Sequence, residues 1–297
     1  MAEDYPRGLN DLERRLSDEA ACRAYLWRLR WPDGFRCPVC GADRGWPVRD
    51  GRLMECTGCG HQASLTAGTI FQDTHTPLRL WFRAAWLMTS QRNGVSSVTL
   101  REQLGFGSDQ TAWAWLHKFR RAIVRPDRDR LNGVVEVDET FVGGEEEGAI
   151  GRQTNWKCLV AVAAEERGAG IGRIRLATIT DASQPSLNDF VQAVVVPGST
   201  IHTDAWSGYS RLGGSGYEHI VSNIARSGQR AHELLPRVHL VAGLLKRWLL
   251  GTHQVNRRRS SSRGTLFYRL LQPAVQVPPA PYHSLVGGIL NPSQVPT

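Results

Sequence analysis

Four cysteines in two Cys-x-x-Cys pairs, Cys37-Pro-Val-Cys40 and Cys56-Thr-Gly-Cys59, constrain the fold of this 297-residue chain more tightly than any other feature. The 15 residues between the pairs carry Trp46-Pro47 and a turn signal at Asp50-Gly51. Two such knuckles, each followed by a glycine able to take positive φ, close a tetrahedral thiolate site for structural Zn²⁺. A secreted chain could put its six cysteines into disulfides, but paired knuckles in a reducing compartment point to metal. A redox dithiol would need a thioredoxin-like βαβ pattern beside one pair, and none is visible. His61 is an alternative fourth ligand that four thiolates make unnecessary, and Cys22 and Cys158 remain as buried thiols. A closed site of this kind folds a small ribbon, here presenting Arg44, Arg49 and Arg52 to DNA or to another protein.

Charge is distributed in blocks. The net charge is +5 over residues 1–130, −6 over 131–223 and +9 over 224–297, for a total of +8. An acidic middle between basic arms suits a centre that collects divalent metal and is held against phosphate by its flanks. The alternative is a solvated surface with charge blocks of no function. The N-terminus lacks an apolar leader, and no stretch reaches the roughly 18 apolar residues of a membrane span, so a soluble intracellular protein is expected.

Between Pro77 and Val124 the apolar spacing is helical, with Leu80, Trp81, Ala84, Ala85 and Met88 on one face and a break at Asn93-Gly94. Ser96–Leu104, a glycine-containing turn at Gly105-Phe-Gly107, and a second capped helix from Ser108 have helix-turn-helix spacing. The second helix carries Lys118, Arg120, Arg121 and Arg125, the expected phosphate contacts. Of Trp113 and Trp115, at least one is expected in the core.

Past Asn132 the pattern changes to strands at 134–142, 157–165 and 171–179, a helix at 185–195, strands at 200–204 and 218–222, and a helix at 239–250. This is the element order of an RNase H-like core. Asp138 lies in the first strand, Asp204 ends the fourth, and His239 opens the last helix. Two strand-borne carboxylates are what Mg²⁺ needs from a protein when substrate phosphate completes its shell. Lys246 lies two helical turns beyond His239 on the same face, and Arg247 adds a further phosphate contact. Read alone, His239 is better explained as a capping or core histidine.

These motifs together resemble an insertion-sequence transposase with an N-terminal zinc ribbon and a DDE-type, ISXO2-like catalytic domain. The matching segments are the cysteine pairs, Gly68-Thr-Ile-Phe71, Val135-Glu-Val-Asp-Glu-Thr-Phe-Val-Gly-Gly144, Thr203-Asp-Ala-Trp-Ser-Gly-Tyr209, and His239 through Leu245-Lys-Arg-Trp-Leu-Leu-Gly-Thr-His253. The 34 residues between Asp204 and His239 fit the spacing of this class. The resemblance implies a multidomain α/β protein: an N-terminal helical segment at 1–30, a zinc ribbon at 31–72, a helix-turn-helix-like segment at 76–126, an RNase H-like mixed-sheet core at 131–255, and a basic, Pro-rich tail at 256–297. It implies Asp138, Asp204, His239 and Lys246 as catalytic residues, with Mg²⁺ or Mn²⁺ at the two acids. It further implies double-stranded DNA, both element ends and target, as partner, a homo-oligomer on DNA, no membrane, and a prokaryotic cytoplasmic, nucleoid-associated location.

Histidine replaces the more familiar glutamate at the third position, which favours Mn²⁺ over Mg²⁺. The chain departs from the family where Gln254-Val255 runs directly into Asn256-Arg-Arg-Arg-Ser260. This junction reads as the internal deletion of one C-terminal helix, and the expectation is a copy of impaired activity. The alternative function is a non-catalytic DNA-binding protein descended from a transposase.

Overall fold

The structure is a computed structural model that describes residues 6–91, 93–123, 129–143 and 157–253. The junction at 254–256, the Pro-rich tail, Arg125 and Glu145–Glu147 lie outside the described residues. Two compact units divide between Arg125 and Pro126.

The first unit begins with helices α1 (Leu9–Arg15) and α2 (Glu19–Arg30). The Asp18 carboxylate accepts the Ala21 amide at 2.8 Å and satisfies one of the first-turn donors of α2. Strands β1 (Gly45–Val48), β2 (Leu53–Cys56) and β3 (Gln62–Ser64) then form an antiparallel ribbon in sequence order. Helix α3 (Leu78–Ser90) starts on Glu19, whose carboxylate accepts the Leu78 and Arg79 amides at 3.1 and 3.0 Å. Helix α4 (Ser97–Leu104) is capped by Ser96 and stopped by Gly105 at φ 70°, and α5 (Asp109–Ile123) follows after the turn. The helix-turn-helix spacing read from the sequence is therefore present as two helices about a left-handed glycine.

The apolar faces of α1 to α5 meet in one core containing Leu26, Phe71, Phe82, Leu100 and Phe119. Trp81 and Trp115 stack there with ring centroids 3.5 Å apart, an arrangement worth roughly 1 kcal/mol beyond the area it buries. Trp115 is the core residue of its pair and Trp113 the exposed one.

The second unit is a five-stranded sheet. Strands β4 (Val134–Val142), β5 (Cys158–Arg167) and β6 (Gly170–Ile179) run antiparallel, then helix α6 (Gln184–Val194) crosses to β7 (Thr200–Asp204) and β8 (Glu218–Ser222), both parallel to β4. Short helices α7 (Ile224–Ser227) and α8 (Ala231–Leu234) lead into α9 (Pro236–His253). The strand order β6-β5-β4-β7-β8 with these directions is RNase H-like.

Strand β5 is apolar on both faces, as a central strand covered by helices on both sides must be. Val135, Val137, Ala161, Ala163 and Ile201 face α6, while Val160, Val162 and Ala164 face α9. The period of two therefore sends Glu136 and Asp138 of β4 toward α9. The strands and α6 match the sequence reading within two residues. The last helix does not: it begins at Pro236, three residues before the expected start, because proline's fixed φ suits the first turn and a buried carboxylate receives its amides. His239 thus sits inside the first turn and does not open the helix.

Candidate metal centre and active site

The cysteine quartet is assembled by the ribbon. Cys37 and Cys40 flank the turn before β1, Cys56 ends β2, and Cys59 lies in the turn before β3. All four Sγ atoms lie within 4.8 Å of one another, with Cys37–Cys59 at 3.7 Å and Cys40–Cys56 at 3.5 Å. A tetrahedron of sulfurs at the usual Zn–S length of about 2.3 Å has edges of about 3.8 Å, so the donor set fits Zn²⁺. Gly41 and Gly60 take φ 74° and 71°, as the motif requires, and the Gly58 amide donates to Cys56 Sγ at 3.3 Å. The Cys40 amide, pointing at Cys37, brings that thiol down to about 6. At Cys59 the His61 amide acts the same way but is outweighed by the crowding of the other thiols, led by Cys40, and by burial, and the group is pushed up to about 12. Four sulfurs this close cannot all lose protons without a cation among them.

The second cluster is drawn from the middle of β4, the end of β7 and the first turn of α9. The parallel pairing of β4 with β7 ends at Glu136 and His202, and the period of two puts Asp138 and Asp204, each two residues further on, on the same face of the sheet as that pair. Asp138 Oδ1 accepts the Glu139 amide at 2.8 Å, and Oδ2 lies 3.7 Å from His239 Nε2. That ring nitrogen is buried and makes no hydrogen bond among the described residues. Asp204 Oδ1 accepts the Trp206 amide at 3.0 Å. Asp138, Asp204 and His239 are thus carried to one face, but among the described residues only the cysteines close to a common metal distance. Two carboxylates and an unpartnered imidazole nitrogen are a donor set suited to Mg²⁺ or Mn²⁺. Lys246 is exposed on α9, seven residues and about 10 Å of helix beyond His239.

A residue given no role from sequence holds this arrangement together. Glu136 is fully buried, and its Oε2 accepts the Arg237 and Val238 amides at 2.7 and 3.0 Å. Its Oε1 receives the Arg237 guanidinium at 2.8 Å. The same guanidinium also donates to the Gly168 carbonyl at 2.9 Å and meets Glu166 at 2.5 Å. The strand that carries Asp138 therefore grips the first turn of the helix that carries His239. The signal was present in the alternation: Glu136 is two residues from Asp138 and must share its face.

On the opposite face Tyr209 donates to Glu139 Oε2 at 2.6 Å, tying the turn after Asp204 to the end of β4. Gly208 lets that turn close, since a Cβ there would lie 2.7 Å from the Ala182 carbonyl oxygen and from Leu187 Cδ1.

The expected phosphate contacts divide. Arg121 and Arg247 are exposed, and Lys118 lies 5.6 Å from the centroid of the Trp81 ring. Arg120 is a correction: at 2 % exposure it belongs to the core of the helical unit, because the helix turns that position inward beside Leu116 and Phe119. Burial lowers its pKa to about 10, and it offers no surface charge to DNA.

Residues 130–260 match the ISXO2-like transposase domain, and residues 17–62 match the transposase zinc-ribbon domain. The chain is also 27 % identical over 120 residues to an uncharacterized protein in transposable element ISH50 of Halobacterium salinarum; the match spans 39 % of this chain and 40 % of that protein. A crystal structure of the Mos1 strand transfer complex is similar at 12 % identity and a TM-score of 0.28, over 69 % of this chain and 73 % of that one, a likeness too slight to argue from. Residues 130–260 thus carry the signature of an ISXO2-like transposase domain and residues 17–62 that of a transposase zinc ribbon.

Proposed function

We propose that the chain is a DNA transposase that cuts one strand at each end of an insertion element and joins the freed 3′-hydroxyl to target DNA. Water adds to the end phosphate, the P–O3′ bond breaks, and the released 3′-hydroxyl then displaces an oxygen of a target phosphodiester. Divalent metal, when bound, supplies Lewis-acid activation and charge neutralisation at the phosphate. Asp138, Asp204 and His239 are the residues that would hold it, and an imidazole among the ligands would favour Mn²⁺. Lys246 meets an end phosphate two turns along α9, and Arg121, Lys118 and Arg247 contribute to the hold on duplex DNA. The protein works as a homo-oligomer that pairs the two ends.

The observation that carries this reading is the buried Nε2 of His239, without a hydrogen-bond partner among the described residues, 3.7 Å from Asp138 Oδ2, with Asp204 on the same face of the next strand. Strand cleavage of DNA bearing the element's own ends tests it, with Mg²⁺ and then Mn²⁺, beside Asp204→Asn. Metal-dependent nicking at the ends, lost in the variant, is the expected result. Nicking that survives the substitution would defeat the assignment.

A second reading, DNA binding without cleavage, is favoured by the surface of α9. Leu240, Leu244 and Leu250 are 54 %, 45 % and 61 % exposed on α9, apolar surface that agrees with the loss of a neighbouring helix expected from the sequence. Tight end binding with no nicking in either metal would select it.

A further inference from the structure

The first unit contains a cleft of about 680 Å³ between α2, the tip of the β1–β2 hairpin and the segment leading into α3. Three guanidiniums line it: Arg23 from α2, and Arg49 and Arg52 from the hairpin. None of the three makes a side-chain hydrogen bond or ion pair among the described residues. Neighbouring arginines, by contrast, are committed. Arg30 donates to the Leu65 and Ala67 carbonyls, Arg79 to the Ser17 carbonyl, and Arg83 pairs with Glu13.

The cleft's acids do not cancel this charge. Glu19 is spent on the Leu78 and Arg79 amides, which leaves Asp50 against three cations, with His75 as a further donor. The hairpin tip also holds Arg49 and Asp50 at φ 50° and 56°, a left-handed conformation that is strained for non-glycine residues. That strain is maintained at the point that brings Arg49 to the cleft wall.

We propose that this cleft seats the phosphate backbone of duplex DNA, as a contact separate from helix α5. Guanidinium forks on two sides of an open groove match phosphodiester oxygens spaced along a strand, and such contacts position a protein without reading sequence. The inference rests on the transposase reading, from which it takes the duplex as ligand.

The test is the salt dependence of duplex binding by the full chain carrying Asp204→Asn, followed by fluorescence anisotropy. Each phosphate neutralised contributes about 0.9 to the slope of log K against log salt, so Arg23→Gln, Arg49→Gln and Arg52→Gln together make it shallower by about 2 to 3. A control that removes Arg36, Arg167 and Arg211, all exposed outside the cleft, leaves the slope nearly unchanged. Arg49→Gly guards against misfolding: glycine relieves the positive φ, so this variant is at least as stable, yet its slope falls by about 1. An unaltered slope in the cleft variants, or an equal loss in the control, overturns the proposal while the transposase reading stands. Absence of duplex binding by the parent chain would defeat both.

Discussion

The two candidate metal sites of this molecule are built in opposite ways. The cysteine quartet is local: 23 residues of sequence contain all four donors, and a three-stranded ribbon closes them to within 4.8 Å. The acid–histidine cluster draws on Asp138, Asp204 and His239, which are scattered over about 100 residues and reach one place only after a sheet and a helix have formed. The first is saturated by protein ligands and has no position for a substrate. The second is left open, as chemistry on a phosphate requires. A closed site supports folding and an open one depends on it, and that ordering can be tested.

The largest effect is expected at the quartet. Cys56→Ser removes a buried ligand, and since structural zinc contributes on the order of 10 kcal/mol to a small metal-folded domain, the ribbon should lose both its zinc and its cooperative melting. Zinc release followed colorimetrically, with circular dichroism, checks this; a ribbon that stays folded without metal would erase the contrast.

Next comes the clamp beneath the open site. Glu136→Ala leaves the Arg237 guanidinium, itself only 14 % exposed, without its buried partner, and breaking such a pair costs about 3 kcal/mol. Denaturant unfolding should show that loss in the sheet unit, and zinc content should not change. A loss of zinc as well would mean that the two regions are not independent.

Smaller again is Gly208→Ala, where the added methyl meets the Ala182 carbonyl oxygen. Overpacking of this kind costs about 1–3 kcal/mol and should displace the turn after Asp204, weakening metal binding there more than global stability. Equal losses in both would make the turn merely structural.

The smallest effect concerns acid. Burial alone would raise the Glu165 carboxyl, but the Arg173 guanidinium and the Asn132 and Arg173 amides outweigh it and hold the group at about 2, below its ordinary 4.5. A depressed folded pKa stabilises above the unfolded value, so this contribution is present above about pH 4.5 and is lost as pH falls toward 2. Arg173→Gln should flatten the acid side of the stability profile in that window. An unchanged profile would show that Glu165 is held by the backbone amides alone.

The same contrast explains what could be read from residues alone. The quartet was legible because its spacing is its geometry, and the strands were legible because alternation and β-branched runs are local. The start of α9 was misplaced because the residue that fixes it, Glu136, lies a hundred positions away. Arg120 was misread because a cation on a basic helix looks like surface until the face it occupies is known. Asp138 and Asp204 could be nominated as strand-borne acids, but that their strands are neighbours required the β4–β7 pairing, a tertiary fact.

The central claim is one chain with two metal centres of opposite kind. Mn²⁺ binding followed by electron paramagnetic resonance, alongside zinc content, on the parent chain and on Asp138→Asn tests it most directly. One tightly held zinc in both proteins, with Mn²⁺ bound by the parent and lost in the variant, is the result expected. Mn²⁺ binding that survives Asp138→Asn, or zinc that leaves with it, would contradict the account.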